Sequence, residues 1–217
     1  MPGKLYYFDL GGRAEGIRAM LGHGNFQYED VRLTPEQFGE KKQSGFFPLG
    51  SAPVWEEDGE VYCQSSAIYR FLGIRMGYYS SDPMTIWQID SIVDFVEGHQ
   101  GTMNNFFLPV LGGASLTESD GHTWLSDYWD KILPVIEARL AEHGQPFIAG
   151  TPRPTIADFR AFAPVMGTLQ NPASACPRPV LDALQSKIDG YGAYKRWVAK
   201  MCEELQAYMA SKPARPC

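Results

Sequence analysis

A tyrosine, two glycines and an arginine lie close together near the start of the chain, and this combination can support chemistry. Tyr7 belongs to an apolar run over residues 5–8 that is typical of a short buried strand. Glycines at 11–12 break the strand, and a helical pattern begins at Arg13. A tyrosine at the end of such a strand points its hydroxyl at the helix N-terminus, where anions and thiolates are favoured. Two ordinary strand aromatics, Tyr6 and Tyr7, would give the same pattern without a catalytic role.

The glycine spacing excludes a dinucleotide-binding loop. Such a loop needs Gly-x-Gly-x-x-Gly in a parallel sheet, whereas the glycines here fall at 11, 12 and 16. Farther along, Asp58-Gly59 predicts a tight hairpin between strands at 52–56 and 61–63. These strands must be antiparallel, because two or three residues cannot make a crossover connection.

The elements that position the tyrosine can be traced over the first third of the chain. A strand is expected at 28–33, and Thr34-Pro35-Glu36 opens a short helix. The strand at 52–56 has a proline near its start, where a missing N–H is tolerated, and a helix follows at 65–76. The predicted order is βαβαββα over residues 1–77.

Beyond a linker at 78–84, the sequence predicts helices only, so residues 85–217 form an all-helical domain. Four apolar stripes mark helices, namely Ile86, Ile89, Val93 and Val96; Trp124, Tyr128, Ile132, Val135 and Leu140; Leu181, Leu184 and Ile188; and Tyr194, Trp197, Met201, Leu205 and Tyr208. We expect the second of these helices to bend at Pro134. A buried helix is also predicted after Thr155 from the capping pattern Thr-Ile-Ala-Asp.

Composition narrows the classes of function. The net charge of −6 over 217 residues argues against nucleic acid, which needs a basic face, and no apolar run is long enough to span a membrane. No signal peptide is visible, so a cytoplasmic location is expected. No metal is expected, because neither the cysteines nor the histidines have metal-ligand spacing. The four cysteines are therefore expected to carry free thiols: Cys63, Cys176, Cys202 and Cys217. Cys217 does not match a prenylation box.

Four stretches in order carry a resemblance to a known family. They are Tyr-Phe-Asp-Leu-Gly-Gly-Arg-Ala-Glu (7–15), Leu-Gly-Ser-Ala-Pro-Val (49–54), Asp-Gly-x-x-x-x-Gln-Ser-x-Ala-Ile (58–68), and Phe-Ile-Ala-Gly followed by Thr-Ile-Ala-Asp-Phe (147–159). Over nearly its whole length the chain resembles the glutathione transferase family, most closely the sigma class, with some mu-like features. The resemblance implies an α/β plus all-α fold, in which an N-terminal thioredoxin-like domain precedes a C-terminal helical bundle.

The family joins glutathione to electrophiles, and the resemblance implies that Tyr7 and Arg13 are catalytic. A free thiol has a pKa of about 8.5, so a hydroxyl that donates a hydrogen bond to the sulfur is needed to stabilise the thiolate at neutral pH. Tyr7 matches the family's catalytic tyrosine. Arg13 matches an arginine that supports the thiolate or the substrate, although a plain surface cation is the alternative. Tyr6 alternates to the other face of the strand and is expected to be structural.

The resemblance also implies a site for glutathione as co-substrate. Its residues are Phe38, Lys42, Ala52, Pro53, Gln64, Ser65 and Glu97. Gln64 and Ser65 would hold the γ-glutamyl end, with its carboxylate at a helix N-terminus. A cis bond is expected between Ala52 and Pro53, so that the Ala52 backbone pairs with the cysteinyl unit like an added strand.

Other parts of the glutathione site are less regular. Phe38 and Lys42 match the residues that hold the glycyl carboxylate, with Lys41 as an alternative to Lys42. Ser51 stands where the family often has a lysine. In sigma and mu relatives an acid on the fourth helix of a second subunit reaches the γ-glutamyl amine, but the equivalent residue here is Gly98. Neighbouring acids, Glu97 or Asp94, either replace that acid or are simply solvated.

For the electrophile, the resemblance implies a pocket whose residues are Phe8, Leu10, Gln100, Asn104, Arg160 and Pro164. Arg160 and Pro164 are unusual at their positions. The aromatic pair Phe46 and Phe47 is expected to be exposed in a loop that docks on a partner, which together with the cross-subunit acid implies a homodimer.

Three functions remain open at this point. The first is an enzyme of detoxification that conjugates glutathione to hydrophobic electrophiles. The second is a glutathione-dependent isomerase of the prostaglandin D synthase type. The third is a non-catalytic protein of the same fold, either a ligand carrier or a structural protein like the squid lens crystallins.

Overall fold

The computed structural model describes residues 2–111 and 113–213. The first part of the chain contains a four-stranded sheet with helices, and the rest is helical. The predicted fold class is confirmed: a thioredoxin-like α/β part precedes a helical part. The first part consists of β1 (Gly3–Phe8), α1 (Glu15–His23), β2 (Tyr28–Leu33), α2 (Pro35–Gln43), β3 (Val54–Glu57), β4 (Glu60–Cys63) and α3 (Ser65–Met76).

The sheet has the strand order β2-β1-β3-β4, in which β1 and β2 are parallel and the other two pairs are antiparallel. Local sequence signals set several of its boundaries. Thr34 caps α2 and Pro35 is its first residue. Asp58 and Gly59 have φ values of 53° and 86°, as a tight hairpin requires. β3 begins at Val54, slightly later than the sequence predicts.

The two faces of β1 are covered by different groups of residues. Leu5 and Tyr7 pack into the main core, whereas Tyr6 lies in a small second cluster with Leu33 and Val54. Phe47 belongs to this second cluster and is only 3% exposed, so the expected exposed aromatic pair at 46–47 is wrong. The loop folds back onto the face of the sheet that carries Tyr6, because the apolar side chains on this face would otherwise be exposed to water.

The helical part consists of α4 (Pro83–Gly98), α5 (Gln100–Leu111), α6 (Glu118–Trp124), α7 (Asp130–His143), α8 (Ile156–Gly167), α9 (Arg178–Asp189), α10 (Gly192–Glu204) and α11 (Gln206–Ser211). The expected bend at Pro134 stays a prediction, and α7 runs through the proline. An irregularity lies upstream of the proline, where a wide helical turn over Leu125–Trp129 joins α6 to α7. Within α7, Ile136 rather than Val135 faces the core, because Ile132, Ile136 and Leu140 recur at a helical spacing of four residues.

The sequence predicts free thiols and no membrane-spanning helix. Within the described residues, no helix combines the length and the apolar character needed to cross a bilayer. Cys63, Cys176 and Cys202 form no disulfide, and the expectation for Cys217 falls outside the described residues.

The sheet part and the helical part meet where α1 packs on α8. Gly16 makes this contact possible, because a Cβ at this position would clash with the Tyr69 hydroxyl and lie 2.5 Å from the Phe159 carbonyl oxygen. Residues of both parts therefore share one continuous hydrophobic cluster.

Replacing Gly16 by alanine is expected to lower the free energy of unfolding by about 1–3 kcal/mol, because the added methyl overpacks the contact between α1 and α8. Urea unfolding measures the change. Gly39 in α2 is the matched control, since a Cβ there would meet nothing within 4 Å. Its alanine variant should be stabilised by about 0.5–1 kcal/mol through helix propensity alone. Equal changes in the two variants would contradict the overpacking argument.

Candidate active site

Tyr7 is the residue before the last of β1, and its buried side chain packs against the main core. Its hydroxyl oxygen accepts a hydrogen bond from the Arg13 backbone N–H over 3.2 Å, in the first turn after the strand. Gly12 allows the close approach, because a Cβ there would lie 2.7 Å from the hydroxyl oxygen and the residue has a φ of 46°. Burial raises the pKa of Tyr7, although the Arg13 N–H and nearby guanidinium groups oppose the shift. The phenol therefore stays protonated at neutral pH and can donate a hydrogen bond.

The loop after β1 is held by a buried arginine that the sequence analysis did not single out. The Arg18 guanidinium donates to the carbonyl oxygens of Leu10, over 2.6 Å, and Phe8, and it pairs with the Asp30 carboxylate over 3.0 Å. It also lies over the Tyr7 ring, with 5.8 Å between the guanidinium carbon and the ring centre. An arginine within the apolar pattern of a helix is the signal that could have revealed it.

An apolar cavity of about 270 Å³ opens beside Tyr7. One wall comes from α5, whose lining residues recur at helical spacing, and another comes from α8. The lining residues are Tyr7, Phe8, Leu10, Gly12, Arg13, Phe38, Gly50, Ser51, Ala52, Gln100, Met103, Asn104, Phe107, Leu108, Arg160, Ala163, Pro164, Gly167 and Thr168. All six residues of the expected electrophile pocket are in this set. Met103 and Phe107 were missed, and the spacing i+3 and i+7 from Gln100 is the signal that could have found them.

Three charged side chains meet next to this cavity. Glu97 on α4 forms ion pairs with Arg13 and with Arg160 of its own chain, the latter over 2.9 Å. Arg160 also donates to the Gln100 side-chain oxygen over 2.6 Å. Asp94 pairs with Arg70 over 2.8 Å. Both acids that could have extended to a second subunit thus have cationic partners within the chain, and the cross-subunit role stays a prediction.

The N-terminus of α3 presents unused backbone donors. Gln64 stands at the cap with a φ of 70°, and no side chain caps the first turn. Ser65 is 4% exposed, and the hydroxyl of Ser66 is buried without a partner among the described residues. Free N–H groups and a buried hydroxyl at a helix N-terminus favour an anion. Ser66 was missed as a site residue, although it continues the Gln-Ser motif.

The two candidate lysines lie on different sides of α2. Lys42 is near Phe38, with 5.9 Å between its ammonium and the ring centre, and its chain lies near Gly50 of the cavity wall. Lys41 instead lies over the rings of Tyr6 and Phe46, which do not line the cavity. The geometry therefore favours Lys42 over Lys41 as a cation near the cavity.

Two further observations concern the peptide bond before Pro53 and possible metal ligands. The Ala52–Pro53 bond is cis, as the resemblance implies, and Ala52 lines the cavity. In the part of the chain that the structure describes, no three histidine, cysteine or acidic side chains are grouped to hold a metal ion.

Known proteins resemble this chain in sequence. The sequence model of the glutathione S-transferase N-terminal domain matches residues 2–73. Glutathione S-transferase 1 of Ascaris suum is 35% identical over 151 residues, which cover 68% of this chain and 71% of that protein.

Solved structures show the same fold over the full length. A glutathione S-transferase from Ascaris lumbricoides superposes with a TM-score of 0.81 at 27% identity and covers 100% of both chains. A prostaglandin synthase D of Nilaparvata lugens superposes with a TM-score of 0.72 at 22% identity, over 99% of this chain and 100% of that chain. At this identity the second likeness shows the fold alone.

Proposed function

The chain belongs to the glutathione S-transferase family and is a glutathione transferase, and from this premise we propose that it joins glutathione to hydrophobic electrophiles through a thiolate held by Tyr7. The observation that carries the proposal is the buried Tyr7 hydroxyl, which lines an apolar cavity and is backed by the Arg13 N–H. The burial that keeps this phenol protonated also makes its hydrogen bond to a thiolate stronger than it would be in water.

The reaction needs one proton to leave and one bond to form. Glutathione binds as the thiol, its proton passes to solvent, and the Tyr7 O–H donates to the resulting thiolate. The Arg13 N–H, by donating to the phenol oxygen, polarises the O–H further. The thiolate then attacks the electrophilic carbon, and the leaving group departs with the electron pair of the broken bond.

The rest of glutathione would bind along the sheet part. The γ-glutamyl carboxylate lies at the N-terminus of α3 with Gln64 and Ser65, where the uncapped N–H groups support an anion. The backbone of Ala52, before Pro53, pairs with the cysteinyl unit, and Phe38 with Lys42 binds the glycyl carboxylate. Apart from Glu97, these are the glutathione-binding residues that the sequence predicts. Glu97 acts within its own chain in this proposal, by holding Arg13 beside Tyr7.

Several broader proposals accompany this site. We propose sigma-class membership, a domain boundary in the linker at 78–84, a cytoplasmic location, a role in detoxification and a homodimer. The homodimer rests on the family, because Phe47 is packed within its own chain. Its size in solution would be measured by light scattering. The electrophile would bind on the wall formed by Phe8, Leu10, Gln100, Asn104, Arg160 and Pro164.

Titration with glutathione tests the proposed function directly. We expect the ultraviolet absorbance of a thiolate to appear when the protein is titrated near neutral pH, well below the pKa of free glutathione. Binding without a thiolate signal would overturn the mechanism. No binding at all would leave the carrier or structural protein as the function of this chain.

A second prediction compares the two lysines of α2. Lys42→Ala is expected to raise the KM for glutathione about tenfold, because it removes the cation beside the cavity. Lys41→Ala is the matched control and should leave that KM unchanged, since the Lys41 ammonium lies over the rings of Tyr6 and Phe46, which do not line the cavity. Steady-state kinetics at fixed electrophile concentration measure both values. A larger effect from Lys41 would reverse the assignment.

A further inference from the structure

A buried cation lies in the wall of the apolar cavity. Arg160 is 2% exposed and belongs to the face of α8 that also carries Ala163, Pro164 and Gly167, all of which line the cavity. Burying a guanidinium is costly unless its charge and its N–H groups are matched by partners. The hydrogen-bond and ion-pair partners of Arg160 therefore indicate whether its charge and its N–H groups are fully matched within the chain.

The hydrogen bonds of Arg160 leave part of its guanidinium unmatched. Its Nη2 atom donates to Glu97 over 2.9 Å and to Gln100 over 2.6 Å. Its Nε atom is buried and has no partner among the described residues. An orphaned N–H on a buried charge costs more than one on a neutral group, so an oxygen atom supplied by a ligand would be strongly favoured here.

The charges around the cavity are also unbalanced. Arg13 and Arg160 are the charged residues in the described lining, and both pair with the single carboxylate of Glu97. On the same helix, Asp90 and Asp94 are paired with Arg70, and Arg18 is matched separately by Asp30. One positive charge is thus left over beside an otherwise apolar wall.

We propose that Arg160 is a specificity-determining residue that binds the carboxylate of an amphipathic electrophile. The substrate class is an apolar electrophile with a carboxylate group, whose oxygen takes the unmatched N–H of Arg160 and whose charge neutralises the excess. This inference rests on the proposed function, because it assigns the second substrate of the same site. If Arg160 served only to brace Glu97, uncharged electrophiles would be used equally well.

Two matched aryl chlorides test the proposal. One is a chloronitrobenzoate with chloride ortho to the nitro group and para to the carboxylate, and the other is its neutral carboxamide. In both, the glutathione thiolate attacks the carbon that carries chlorine, a C–S bond forms, and chloride leaves with the bonding electrons. Each kcat/KM is divided by the rate constant of the uncatalysed reaction with glutathione, which removes the electronic difference between the two compounds.

The normalised preference for the carboxylate should be about tenfold to a hundredfold, the range for one charge-assisted hydrogen bond. Arg160→Met should abolish this preference, whatever its effect on the rate with the carboxamide, and Arg160→Lys should restore part of it. Arg70→Met, which removes an arginine paired with two acids outside the cavity, should leave the preference unchanged.

A measurement on the unaltered protein guards against misfolded variants. Nitrobenzoate should inhibit turnover of the carboxamide at a lower concentration than nitrobenzamide does. Equal inhibition, or a normalised preference that is absent in the unaltered protein or survives Arg160→Met, would overturn the role of Arg160. If the unaltered protein turned over neither aryl chloride and gave no thiolate signal with glutathione, the proposed function itself would fail.

Discussion

Replacing Tyr7 by phenylalanine should lower kcat/KM for conjugation by about a hundredfold to a thousandfold, the usual cost of removing one well-placed donor to a developing or bound anion. The change deletes a single oxygen atom from a buried side chain and leaves its ring packing in place. Glutathione should still bind, because the groups proposed to hold its two ends do not include Tyr7. The thiolate absorbance at neutral pH should disappear.

Tyr6 provides a matched control for this prediction. Its ring lies on the opposite face of β1, and its hydroxyl donates to Glu56 over 2.5 Å. Tyr6→Phe should therefore keep full activity and the full thiolate signal. Stopped-flow absorbance and steady-state rates would be measured on both variants. A Tyr7→Phe protein with undiminished thiolate formation would show that another group holds the sulfur.

Replacing Asp158 by alanine should lower the free energy of unfolding by about 4 kcal/mol, the largest stability effect that we expect. The Asp158 carboxylate is fully buried and accepts hydrogen bonds from the N–H groups of Ile148 and Thr155, over 3.0 and 2.8 Å, and from the Trp197 ring N–H over 2.9 Å. Each buried donor left without a partner costs about 1–3 kcal/mol. The single substitution orphans all three.

Asp120 serves as a control with the same local motif. It forms a capping box with Thr117 at the start of α6, as Asp158 does with Thr155 at α8, but it is exposed. Asp120→Ala should cost only about 1 kcal/mol, the value of a surface cap. Urea denaturation of both variants decides the question. Similar losses in the two would mean that the buried hydrogen bonds of Asp158 contribute little beyond capping.

Features fixed by neighbouring residues could be predicted from the sequence. The strand at Tyr28–Leu33, the hairpin at Asp58-Gly59 and the cap at Thr155 each depend on a few adjacent side chains and backbone angles. These signals, together with the family resemblance, gave the fold class. The residues of the cavity wall also came from the resemblance, which carries tertiary information that periodicity does not.

Other features depend on contacts between distant segments, and the sequence could not reveal them. Glu97 pairs with Arg13, which is 84 positions away, and with Arg160, which is 63 positions away. Nothing local distinguishes Glu97 from a solvated helix acid. Phe47 is buried because the loop folds onto the sheet, and the wide turn at 125–129 depends on the packing of a whole helix.

The shared hydrophobic cluster has a consequence for folding cooperativity. Leu5 of the sheet, Ile17 of α1 and Phe159 of α8 belong to one core, which is continuous across the proposed domain boundary at 78–84. Domains that unfold separately have separate cores, whereas here exposing the sheet also exposes the inner faces of the helices. We therefore expect that opening one half removes the solvent protection of the other, so that the two halves exchange hydrogen as a single cooperative unit.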